Sequence, residues 1–110
     1  MINMRLIFVI LLVVGWVNAG AQIIDSFPYF QNFDVTAGNW VADNNNIWEY
    51  GTPNKNIING AFSGEFAWAT ELTGDYPNNR IVSLNSPLIN FASLNGVTPY
   101  LRFKYIINTE

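Results

Sequence analysis

Two absences set the chemistry open to this chain: it has no cysteine and no histidine. A cysteine–histidine pair, a Ser–His–Asp triad and a histidine zinc site are therefore excluded within its 110 residues. It also lacks a G-x-S-x-G turn, a Walker-type loop and a dinucleotide fingerprint. The remaining catalytic option is a carboxylate pair of the kind that cleaves glycosides, which must stand about 5–5.5 Å or about 6.5–9.5 Å apart. Glu65 and Glu71 are six positions apart, with Ala67 and Ala69 between them on the same face of an extended strand. Glu49 stands alone between Trp48 and Tyr50. No acidic cluster forms locally, so this segment is expected to be non-catalytic.

Two binding chemistries remain. Trp48 and Tyr50 are two apart, so on a strand they share a face. They are either a platform on which a sugar stacks or one side of a sheet packed on another. Trp40 and Trp68 allow the same two readings. Abundant Asp and Asn oxygens suit calcium, a hard cation satisfied by carboxylates and carbonyls, although no D-x-D-x-D-G loop is present.

These side chains must be carried by strands. Turn formers recur every eight to twelve residues, at Gly38-Asn39, Asn44-Asn45-Asn46, Gly51-Thr52-Pro53-Asn54, Asn59-Gly60, Gly74-Asp75, Pro77-Asn78-Asn79, Ser86-Pro87 and Asn95-Gly96. Short aromatic and β-branched runs lie between them, the pattern of an all-β sandwich or barrel. The clearest strand is 65–72, with Phe66, Trp68, Thr70 and Leu72 on one face and Glu65, Ala67, Ala69 and Glu71 on the other. Residues 100–107 alternate in the same way: Leu101, Phe103, Tyr105 and Ile107 oppose Tyr100, Arg102, Lys104 and Ile106. Weaker strands are expected at 29–34, 47–50, 81–84 and 88–91. No helix is expected after the leader.

The leader itself reads as a helical signal peptide over residues 1–21. Arg5 precedes twelve mostly apolar residues, Leu6 to Val17, and Ala19-Gly20-Ala21 is a small-residue exit that places cleavage before Gln22. The apolar run is short of the roughly 20 residues that span a bilayer. The mature chain, residues 22–110, is then secreted or held at the cell surface and has no further membrane segment. It carries four basic and eight acidic residues, a net −4, with the basic ones scattered. Nucleic acid is not an expected partner. With no disulfide available, a domain this small depends on its core, an ion or its neighbours.

The order of landmarks resembles a known family. Phe30-Gln31-Asn32-Phe33-Asp34 is followed by Trp40, then Trp48-Glu49-Tyr50-Gly51-Thr52-Pro53, then Ser63-Gly64-Glu65-Phe66-Ala67-Trp68-Ala69-Thr70. Leu84-Asn85-Ser86-Pro87-Leu88-Ile89 and Leu101-Arg102-Phe103-Lys104-Tyr105 complete the series. This is similar to MAM-like domains and their bacterial relatives, the cleaved-adhesin or choice-of-anchor J domains, over most of residues 27–105. The resemblance implies an antiparallel, concanavalin-like jelly roll in a secreted or surface-attached bacterial protein, often one exported by type IX secretion. Only the first half of such a jelly roll is matched, so residues 22–110 are expected to be the N-terminal part of a longer domain. The cysteines of the animal members are absent. The resemblance also implies a structural calcium ion near the start of the fold, for which Asp34 is the matching acid. The alternative for Asp34 is that it caps a turn or faces solvent.

The function expected from these features is a non-catalytic adhesion or binding module, its partner an extracellular protein or glycan. The alternative is a structural or carbohydrate-binding domain of an extracellular hydrolase.

Overall fold

The computed structural model describes residues 21–43 and 46–108. The expected signal peptide lies outside them except for Ala21. Among the described residues the regular structure is β, with one 3-10 turn at Ala92–Leu94 and no α-helix.

Six short strands make three two-stranded ladders. The longest joins β3 (Trp48–Gly51) to β4 (Ala67–Thr70), antiparallel, with Trp48 opposite Thr70, Glu49 opposite Ala69, Tyr50 opposite Trp68 and Gly51 opposite Ala67. Aromatic and β-branched residues suit such a pleated, half-covered surface. One loop bond prolongs the ladder by a pair, and another folds the loop after β3 back to the end of β4. The Glu71 N–H donates to the Ile47 carbonyl at 2.8 Å, and the Asn54 N–H to the Leu72 carbonyl at 2.8 Å. Glu71 then takes a left-handed backbone, φ 60°, and turns the chain out of the strand.

The other two ladders are tied together. β2 (Val41–Ala42) pairs antiparallel with β5 (Leu84–Asn85), and β1 (Ile23–Ile24) pairs in parallel with β6 (Leu88–Ile89). Only Ser86-Pro87 separates β5 from β6, so one turn holds both ladders side by side. Pro87 is buried there; having no N–H, it cannot continue a ladder. The Asn90 N–H extends the β1–β6 pairing to the Ile24 carbonyl at 2.8 Å, and Phe27 stacks on Phe91 with centroids 5.8 Å apart.

Several expectations are corrected in detail. The strand expected at 65–72 is confined to Ala67–Thr70, because Glu71 adopts its positive φ. Phe66, Trp68 and Leu72, expected on one face of that strand, are half-buried. Residues 29–34 form a loop, and residues 100–107 pair with no strand among the described residues. The strands expected at 81–84 and 88–91 shrink to Leu84–Asn85 and Leu88–Ile89, while β1 and β2 were not expected. One ladder is parallel, where an antiparallel arrangement was expected throughout. Ile24 and Ile47 are the only buried large apolar residues among those described.

Candidate functional site

The best-built part of the molecule is the aromatic face of the β3–β4 ladder and the loop laid across it. Because directly opposed residues share a face, Trp48, Tyr50, Trp68 and Thr70 lie on one side, with Glu49, Ala67 and Ala69 on the other. The Tyr50 ring sits 5.7 Å from both Trp68 and Phe66, tilted 48° to each. Such inclined pairs place ring edges near ring faces.

Residues 31–40 strap this face. The Tyr50 hydroxyl donates to the Phe33 carbonyl at 2.7 Å, and the Trp68 indole N–H donates to the Ala37 carbonyl at 3.2 Å. Phe33 meets Trp40 edge to face at 5.6 Å. The strap is shaped by left-handed residues, Phe33 (φ 64°), Gly38 (φ 68°) and Asn39 (φ 57°). At Gly38 a Cβ would fall 2.0 Å from the Gln31 amide nitrogen, the movable end of a side chain, and it is the φ of 68° that favours glycine there.

Trp48 and Tyr50 therefore share a face, as their spacing implied, and both are half-buried. Tyr50 has spent its hydroxyl on the strap. The Trp48 indole nitrogen is buried without a hydrogen-bond partner, as is that of Trp40. Neither ring offers both the open face and the free polar tip that a sugar platform uses.

Asp34 is held by its neighbours. Ser63 Oγ donates to its Oδ1 at 2.8 Å, and Asn32 Nδ2 to its Oδ2 at 2.7 Å. Its own N–H returns a bond to Asn32 Oδ1 at 3.2 Å. Gly64 (φ 58°) permits the approach, since a Cβ there would lie 2.8 Å from the carboxylate. These groups point hydrogens at Asp34, whereas a calcium site points oxygen lone pairs at a cation. No cluster of three or more acidic side chains that could hold a metal gathers among the described residues.

Glu49 lies on the face opposite the aromatic one, where Oε2 accepts the Leu72 N–H at 2.6 Å. It closes the end of the ladder, a role that its position between two aromatics did not reveal. Glu65 is exposed and Glu71 sits at the turn. Sequence reasoning also missed Ser63, Asn32 and Ala37 as partners of the site. A shallow groove of about 550 Å³ runs beside the strap, lined in part by Thr36, Asn39, Trp40, Ser86 and Leu88.

No family model and no solved structure matches the chain. Over 83 residues, 74% of its length, it is 39% identical to Bacillopeptidase F of Bacillus subtilis (strain 168). The chain spans about 6% of that protein's length.

Proposed function

We propose that this chain is a non-catalytic β-sandwich module of a larger exported protein, serving as an accessory domain to a hydrolase. One observation carries this reading: the chain is similar to a small piece of a protein named as a peptidase, and that piece is 6% of the whole. This chain has no cysteine or histidine, Glu49 is engaged at the ladder end, and no three acidic side chains gather among the described residues, which suits a part that supports catalysis elsewhere. Of the two functions expected from the sequence, the hydrolase-domain reading is favoured over adhesion. Of the rings that would grip a glycan, Tyr50 is bonded to Phe33, and its neighbour Trp68 to Ala37. The half jelly roll implied by the family resemblance remains part of the proposal; a calcium ion at Asp34 would require ligands beyond those now around it.

The test is expression with the chain's own leader in a bacterial host. Material in the medium should begin at Gln22. Purified, it should hydrolyse neither casein nor β-glucan above background. Recovery of intact Met1 from the cytoplasm would overturn export. Turnover that survives purification and disappears in Glu49→Gln would overturn the non-catalytic assignment.

A further inference from the structure

We propose that residues 100–107 form an exchange arm, which docks reciprocally on the body of a second copy of this chain and makes it a dimer. Every residue from 95 to 108 is exposed. Tyr100 is 91% and Leu101 78% exposed, and Phe103, Tyr105, Ile106 and Ile107 all lie above 60%. The alternating pattern of the arm is that of a strand, yet none of the ladders includes it. Unpaired backbone and apolar side chains together make a template for a strand from elsewhere.

Charge selects the occupant. The arm carries Arg102 and Lys104, while residues 22–99 carry seven acidic residues against Lys55 and Arg80, a net −5. Two arms paired with each other would set like charges face to face, which destabilises a strand pair. An arm laid on another copy's body meets opposite charge instead. The exposed Glu65 before β4 offers such an acid; the far end of that strand's outer edge is held by Lys55, whose Nζ donates to the Thr70 carbonyl.

The area is sufficient. Three aromatic rings bury on the order of 150–250 Å² each when fully covered, and each aliphatic residue adds roughly 60–120 Å². Scaled to their exposure, the six apolar residues of one arm supply on the order of 600 Å². Two reciprocal arms, with the surfaces they cover, then reach the total of about 1,600 Å² typical of a stable interface.

Sedimentation equilibrium of the mature chain tests this, in wild type, R102E/K104E, F103S/Y105S and R102E/K104E/E65K. The wild type should be a dimer. R102E/K104E should weaken it by about tenfold at low salt, and by less in 0.5 M salt, where charges are screened. F103S/Y105S should be monomeric. Adding Glu65→Lys to the charge-reversed arm should restore part of the affinity. A wild type that stays monomeric would overturn the proposal and leave the arm to be covered within a longer polypeptide. Assembly growing past the dimer, or a dimer indifferent to all these changes, would overturn it equally.

Discussion

The Tyr50 hydroxyl reaches the Phe33 carbonyl oxygen at 2.7 Å, joining a strand residue to a left-handed loop residue 17 positions earlier. This bond and the one from Trp68 to Ala37 hold residues 31–40 on the ladder. Tyr50→Phe keeps the ring and removes only the donor. It is expected to lower unfolding stability by about 1 kcal/mol, the usual net worth of such a bond, measured by urea denaturation. An unchanged midpoint would show that the strap is held by its ring contacts alone.

Trp68 contributes both a ring and a hydrogen bond. Because it is half-buried, Trp68→Ala is expected to cost about 2–3 kcal/mol, below the 3–5 kcal/mol of a fully enclosed ring. Trp68→Phe, which retains packing against Tyr50, should recover more than half of that loss. A harmless Trp68→Ala would mean that the face of β4 is assigned the wrong way round.

Glu71 sits at φ 60°, a conformation that costs an ordinary residue energy and glycine almost none. Its N–H, which donates to Ile47, belongs to the backbone and survives substitution. Glu71→Gly is therefore expected to be neutral or stabilising by up to about 1 kcal/mol. Destabilisation of that size in thermal unfolding would show that the Glu71 side chain, and not its backbone, secures the turn.

Much of this was legible in the sequence, and the exceptions have physical causes. The period-two run at 65–72 and the weaker strand expected at 47–50 located β4 and β3 but not their pairing, and the two-residue spacing put Trp48 on the face of Tyr50. The run at 100–107 has an equally regular period, yet it forms no ladder. Alternation records which side chains share a face and cannot supply the partner strand. β1 and β2 escaped notice because two residues are too few to show any period. The strap was hidden for another reason: its bonds span 17 and 31 positions and end on backbone carbonyls, which every residue possesses. Gly38 and Gly64, where a Cβ would meet Gln31 and Asp34, read in the sequence only as a turn former and a landmark, because spacing does not show which distant side chain comes close.

Asp34 separates the structural from the ionic account of the strap. Asp34→Ala removes an acceptor from Ser63 and Asn32 and is expected to cost about 1–2 kcal/mol, with or without metal. An ion that binds only the folded form would raise the unfolding temperature with its concentration. Millimolar calcium added after chelation is expected to leave the melting temperature of the wild type unchanged. A rise that vanishes in Asp34→Ala would establish the calcium site and require oxygens beyond those now facing this carboxylate.

If Tyr50 and Trp68 are held under their own loop, the aromatic face of β3–β4 serves as scaffold. The indole protons of Trp40, Trp48 and Trp68 in the ¹⁵N-labelled mature chain test it most directly, followed by NMR during hydrogen exchange and then during titration with oligosaccharides. The Trp68 indole proton, bonded to Ala37, is expected to exchange far more slowly than a free indole, and Tyr50→Phe should speed it by loosening the strap. No indole resonance should move with added sugar. Exchange of the Trp68 proton at the solvent rate, together with saturable sugar-dependent shifts at Trp48 or Trp68, would contradict the claim and make the face a binding platform.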